Sequence, residues 1–228
     1  MKPISAAAFL FDMDGTLIDS SRPMERVWGR FARRHGLELA ALLPTIHGVR
    51  ALDTVQRLAL PGVDPLAEAK IIEREEVEDV DGVTPIAGAL EFLAALPPDR
   101  WAVVTSAPKA LARARLGAAG VPIPASLVTG EDVLAGKPAP DCYILGAKRL
   151  SCAPADCIVF EDAAAGIASA IAAGAEVVVI ASGQGHQNLS DRLTVRDYHQ
   201  LELVVEPNRL HVRIVGLGDS APCVSRLV

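Results

Sequence analysis

A short, unbroken apolar run that stops at two acids and a glycine limits the possible folds of this chain most. Residues Ala6–Phe11 (AAAFLF) are followed at once by Asp12-Met13-Asp14-Gly15-Thr16. Apolar residues without alternation suit a strand covered on both faces, the usual state of a parallel strand. The pattern recurs at Trp101–Val104 (WAVV), Cys157–Phe160 (CIVF), Glu176–Ile180 (EVVVI) and, more weakly, Ser126–Val128. Between these runs, apolar residues fall at helical spacing. Gly88–Leu96 ends at Pro97-Pro98, Lys109–Leu116 follows Pro108, and Asp141–Leu150 and Ala163–Ala173 complete the set, the last stopped by Gly174. A glycine there can take the left-handed turn that ends helices. Strands alternating with helices predict an α/β fold, a parallel sheet with helices on both faces.

Residues 19–82 break this rhythm. Ser21–His35 reads as an amphipathic helix with Met24, Val27, Trp28 and Phe31 on its apolar side, and Val49–Leu60 and Pro65–Val80 also read as helices. No strand signal lies among them. The expected division is therefore a core of residues 1–18 and 83–228, with a small helical unit, 19–82, inserted after the first strand. Past Asp197, the runs LELVV and RLHVRIV flank EPN and predict a β-hairpin or edge addition. The closing residues carry no signal and are expected to fray.

Composition narrows the function classes. The 228 residues suit one large α/β domain, or a domain carrying a smaller insert. A hydrophobic fraction of 50% excludes wholesale disorder, and with aromatics at 4% the core is expected to rest on Ala, Val, Leu and Ile. The net charge of -6 argues against a nucleic-acid partner, and Arg30, Arg33 and Arg34 read as the solvated side of a helix. Cys142, Cys152, Cys157 and Cys223 have neither C-x-x-C nor zinc-finger spacing, so free thiols in a reducing cytosol are expected. The apolar run after Lys2 is too short for a secretory leader, and no stretch is long enough to span a membrane. A cytoplasmic monomer is expected, since no heptad or swap element stands out.

Chemistry-bearing residues follow the strands. Two carboxylates, Asp12 and Asp14, at a strand's carboxyl end are costly to bury without a cation, and that end is where open α/β sheets bind ligands. An Asp-Gly turn would explain Asp14-Gly15 but not Asp12. Thr105-Ser106 follows WAVV and precedes Pro108, so a hydroxyl and free N–H groups meet at a helix start; Ser106 could serve as a plain cap or an anion site. Lys137, between Gly136 and Pro138, supplies a compact charge suited to phosphate. Glu161-Asp162 ends CIVF before another helix. These acids could favour the helix dipole or, with Asp12 and Asp14, form the hard oxygen site that Mg²⁺ prefers.

In this order (acid pair, hydroxyl, lysine, acid pair, each after a strand) the chain resembles the haloacid dehalogenase superfamily. The likeness runs over about residues 6–205, points to the branch of sugar and hexitol phosphatases and β-phosphoglucomutase, and includes Ala32–Leu37, Ile46-His47-Gly48 and Ala112–Arg115. It implies a Rossmann-like three-layer core with a helical cap. It implies Asp12 as nucleophile, Asp14 as acid and base, and Mg²⁺ held by Asp12, the Asp14 carbonyl and Asp162 with Glu161 in support. Thr105 or Ser106, with Lys137, would bind the phosphoryl oxygens of a small phosphorylated metabolite. His47 and Arg50 are candidates for substrate hydroxyls or ordinary surface groups, and His35, His186, His199 and His211 read as structural or exposed. A phosphomutase is the alternative, although Thr16 stands where mutases tend to carry Val. A non-catalytic phosphosugar-binding protein is a further one, and usually such proteins lack a motif acid.

Overall fold

The computed structural model describes residues 3–182, 193–215 and 224–226. The chain opens with β1 (Ile4–Ala6), β2 (Ala8–Phe11) and β3 (Ile18–Asp19), then four helices, α1 (Ser21–His35), α2 (Leu39–Leu42), α3 (Ala51–Leu58) and α4 (Pro65–Glu78). It continues through β4 (Thr84–Pro85), α5 (Ala89–Ala94), β5 (Trp101–Val104), α6 (Lys109–Ala118), β6 (Ser126–Val128) and α7 (Asp141–Arg149). The remainder is β7 (Cys157–Glu161), α8 (Ala164–Ala172), β8 (Glu176–Ile180), β9 (Leu193–Val195), β10 (Leu201–Val205), β11 (Leu210–Ile214) and β12 (Val224–Arg226).

Six strands form one parallel sheet in the order β6-β5-β2-β7-β8-β9. The chain leaves β2 towards β5 and β6, then returns to β7 on the other side. That reversal opens a crevice at the carboxyl end of β2. Every residue of β2 and β5 is buried, as continuous apolar runs require. On one face, α5, α6 and the small sheet pack on Phe9, Phe11, Trp101 and Phe160; on the other, α7 and α8 pack on Ala8, Leu10 and Val159. Core aromatics are few but concentrated. Four of the five Phe residues (Phe9, Phe11, Phe92 and Phe160) meet in one cluster, with Phe11 and Phe160 stacked at 4.7 Å. The aliphatic core that composition predicts thus has an aromatic centre.

Several details differ from the sequence expectation. The run Ala6–Phe11 serves two sheets: β1 pairs with β11 in the order β1-β11-β10-β12, and β2 enters the large sheet after Ala7, whose N–H bonds to the Asp156 carbonyl. A bend of one residue leaves no mark in an all-apolar run. The predicted hairpin is β10–β11. Residues expected to fray include β12, paired in parallel with β10. The two-residue strands β3 and β4, paired with one another, and the three-residue β9 are too short for a periodic signal.

The helices between Ser21 and Glu78 enclose a separate core containing Met24, Val27, Trp28, Phe31, Val55 and Ile72. Helix α1 stops where Gly36 turns left-handed. Helix α4 begins at Pro65, with the Asp64 carboxylate accepting from the Leu66 and Ala67 N–H groups. Arg30 and Arg34 are not simply solvated: they reach Glu75, Glu68 and Asp79, tying α1 to α4. Cys142, Cys152 and Cys157 are free thiols; Cys223 and His186 lie outside the described residues. No helix among the described residues is long and apolar enough to cross a membrane.

Candidate active site

The sheet order brings the sequence-predicted acids to one place. Asp12 follows β2, Glu161 ends β7 next to it, and Asp162 begins the loop to α8. Asp12 is 3% exposed and Glu161 fully buried. One ligand oxygen from each of Asp12, Glu161 and Asp162 lies within 4.8 Å of the others.

Lys137 reaches this group from the loop after β6. Its Nζ donates to Asp12 Oδ1 at 2.5 Å, Glu161 Oε1 at 2.7 Å and the Val104 carbonyl at 3.2 Å. The lysine read as a phosphate ligand is thus also the counter-ion of two buried acids. Burial alone would lower its pKa, but Asp12 and Glu161 outweigh that and hold it well above its ordinary value. Glu161 accepts three further bonds, from the Tyr143 hydroxyl at 3.0 Å and from the Asp162 and Ala163 N–H groups at 2.8 and 2.9 Å. Burial, opposed by Lys137 and assisted by Glu161, pushes the Asp12 carboxyl up to about 7. Burial and the charges of Glu161 and Asp12 push Asp162 up strongly, and Thr16 Oγ1 donates to it at 3.1 Å.

Two glycines make room for this arrangement. At Gly15, where φ is +82°, a Cβ would lie 2.0 Å from Asp162 Oδ2; at Gly166 it would lie 1.5 Å from Glu161 Oε1. Gly15 therefore serves both the turn after Asp14 and the close approach of Asp162.

The other candidates sit around the rim. Asp14 turns towards the helical segment: its Oδ1 accepts from Ser20 Oγ at 2.5 Å and Arg115 Nη1 at 3.0 Å. Thr105 is buried and its Oγ1 accepts from the Ala107 N–H. Ser106 does not cap α6, whose N-cap is Pro108; its hydroxyl instead donates to the Gly48 carbonyl at 2.8 Å. Arg50 is engaged by both oxygens of Asp53, at 2.7 and 2.9 Å, and donates to the Val133 and Leu134 carbonyls. His47, Trp28, Glu73 and Glu76 line a cleft of about 60 Å³ with Asp14 and Arg115. That is well short of the roughly 300 Å³ of an ordinary small-molecule site, so a sugar phosphate needs the cleft wider.

Sequence reasoning did not point to Tyr143 or Glu76, and it noted Thr16 and the stretch Ala112–Arg115 as part of the family likeness without assigning either a contact in the site. Tyr143 and Arg115 sit in ordinary helical patterns, and only the fold reveals that they face buried acids.

A reversal point in a parallel sheet, three clustered carboxylates and a buried lysine thus meet at the carboxyl end of β2. The chain belongs to the haloacid dehalogenase-like hydrolase family, whose model matches residues 6–174. It is 39% identical over 208 residues to hexitol phosphatase A of Escherichia coli (strain K12), covering 88% of this chain and 95% of that one. It is 36% identical over 173 residues to validoxylamine A 7'-phosphate phosphatase of Streptomyces hygroscopicus subsp. limoneus, covering 72% and 81%. Its fold is similar to that of β-phosphoglucomutase from Clostridium difficile, with a TM-score of 0.73, 20% identity, and 84% and 91% of the two chains covered.

Proposed function

We propose that the chain is a Mg²⁺-dependent phosphatase acting on small sugar or polyol phosphates, with Asp12 as nucleophile. The observation that carries this reading is the buried carboxylate group at the carboxyl end of β2, with Lys137 between Asp12 and Glu161. The identity to two named phosphatases supports the substrate class.

The residues present fit a hard divalent cation. Asp12, Glu161 and Asp162 offer only oxygen, and among the described residues Lys137 is the one Lys or Arg in ion-pair contact with them. Two buried acids and a half-buried one against a single lysine leave excess negative charge, which burial makes costly. Asp12, Asp162 and the Asp14 carbonyl would hold Mg²⁺, with Glu161 in support. When bound, the ion would offset repulsion between an anionic nucleophile and an anionic phosphate.

Asp12 attacks phosphorus, forming an aspartyl-phosphate while the bond from phosphorus to the leaving oxygen breaks. Asp14 gives that oxygen its proton. It then takes a proton from water as the water attacks phosphorus, releasing phosphate and restoring Asp12. Thr105 or Ser106 and Lys137 bind the phosphoryl oxygens. Residues 19–82 act as a cap that shuts the cleft and chooses the leaving group, with His47 facing it and Arg50 braced against the loop at Val133.

The cleft wall favours hydrolysis over a mutase. A mutase must hold two phosphates, whereas Glu73, Glu76 and Asp14 line this cleft and its Arg115 is already paired with two acids. Carboxylates suit uncharged hydroxyls better than a second phosphate.

The test is phosphate release from a panel of hexitol, hexose and glycerol phosphates, with and without Mg²⁺, beside Asp12→Asn. The expected result is Mg²⁺-dependent release that Asp12→Asn abolishes. Release persisting in Asp12→Asn would remove Asp12 as nucleophile, and activity that requires a sugar bisphosphate would favour the mutase.

A further inference from the structure

We infer that Arg115 is a positioning residue, through which seating of the helical segment sets the placement of Asp14. This rests on the reading of Asp14 as acid and base.

Arg115 lies on α6, in the sheet-bearing part of the chain, and is 3% exposed. Its two terminal nitrogens serve different units. Nη1 donates to Asp14 Oδ1 at 3.0 Å, and Nη2 to Glu76 Oε1 at 3.1 Å. Glu76 lies on α4 and is itself buried. A guanidinium is a rigid planar fork, so the seat of one arm orients the other. Ser20 Oγ also donates to Asp14 Oδ1, at the point where the chain enters α1. Both donors thus hold Oδ1, and Oδ2 is the oxygen that can work on a leaving group.

Other contacts bridge the same two units away from the site acids. Ser106 bonds to the Gly48 carbonyl, and Arg50 to the Val133 and Leu134 carbonyls. Among the described residues, the helical segment reaches Asp14 directly through Ser20 and, across from α4, through the Glu76–Arg115 bridge. The bridge is also incomplete: the buried Arg115 Nε finds no acceptor among the described residues, although Arg115 lines the cleft. A buried donor without an acceptor is unfavourable, so the guanidinium is held by its two terminal arms alone.

The cleft must open to admit a sugar phosphate. When α4 lifts, Glu76 leaves and Arg115 loses one arm, so its hold on Asp14 loosens. When α4 returns, both arms engage and Asp14 is set. Proton transfer then takes place only in a cleft closed to bulk water.

The test compares wild type with Arg115→Lys and with the double variant Arg115→Met/Glu76→Met. The double variant removes both members of the buried Arg115–Glu76 pair and leaves only the partly exposed Asp14, still bonded to Ser20, without its arginine, so no fully buried charge is stranded. Each protein is given a hexitol phosphate and p-nitrophenyl phosphate, whose leaving group departs without a proton. The expected result is a drop in kcat of about 100-fold or more on the hexitol phosphate, with KM little changed. The p-nitrophenol burst should stay near the wild-type rate, followed by slow turnover because Asp14 also activates water. Folded variants with wild-type kcat on both esters would overturn the inference. So would an equal loss in burst and hexitol turnover, or a change confined to KM, which would make Arg115 a substrate-binding group. If wild type released phosphate from neither ester, the phosphatase reading itself would fall, and this inference with it.

Discussion

Replacing Lys137 by Met removes the positive charge between two buried carboxylates while keeping a side chain of similar length. The loss falls unequally on its partners. Glu161 retains the Tyr143 hydroxyl and two backbone N–H donors, whereas Asp12 loses the lysine bond at 2.5 Å. Breaking one side of a buried ion pair costs about 3–5 kcal/mol. In a chain of this size each kcal/mol moves the melting temperature by roughly 2–4 °C, so Lys137→Met should melt about 6–20 °C below wild type without metal. Protonating Asp12 removes part of that penalty, so the gap should narrow as the pH falls. Mg²⁺ should narrow it as well, because a cation replaces the missing charge. Differential scanning calorimetry in chelator, then in Mg²⁺, at mildly alkaline and neutral pH measures all three effects, because without Lys137 Asp12 takes up its proton above about 7. A gap of about 1 °C or less would show that Lys137 does not neutralise these acids, and a gap unmoved by pH and Mg²⁺ would assign the loss to packing.

Gly166→Ala should destabilise the protein by about 1–3 kcal/mol, since the new methyl would fall 1.5 Å from Glu161 Oε1 and must displace it. A denaturant midpoint equal to wild type would show that Glu161 has room to yield. The pH dependence of stability has a definite sign at Asp12. Its carboxyl sits at about 7 in the folded chain against 3.8 ordinarily, so between those values the folded chain binds the extra proton and stability falls as pH rises. In metal-free protein, Asp12→Asn should remove that component of the slope; an unchanged slope would place its origin elsewhere.

Much of the architecture is legible in the chain because buried parallel strands demand continuous apolar runs. The strands at Trp101–Val104, Ser126–Val128 and Glu176–Ile180 fall where those runs do. The bend at Ala7 does not show, because a residue that leaves one sheet for another can be as apolar as its neighbours. The acids are conspicuous for the opposite reason: carboxylates that end apolar runs are expensive to bury. Their partners are harder to see. Nothing local in Gly136-Lys137-Pro138 says that the lysine meets Asp12 and Glu161, 125 and 24 residues away. Arg115 falls in a stretch that shares the family likeness, but its burial between Asp14 and Glu76 follows only from the packing of α6 against α4.

The central claim is that Asp12 carries the phosphoryl group. Rapid mixing with a hexitol phosphate and Mg²⁺, acid quench within the first turnover, and mass spectrometric mapping of the digested chain test it directly. A transient phosphate adduct is expected on the peptide containing Asp12, absent from Asp12→Asn. An adduct on another residue, or rapid phosphate release with no adduct at any quench time, would contradict it.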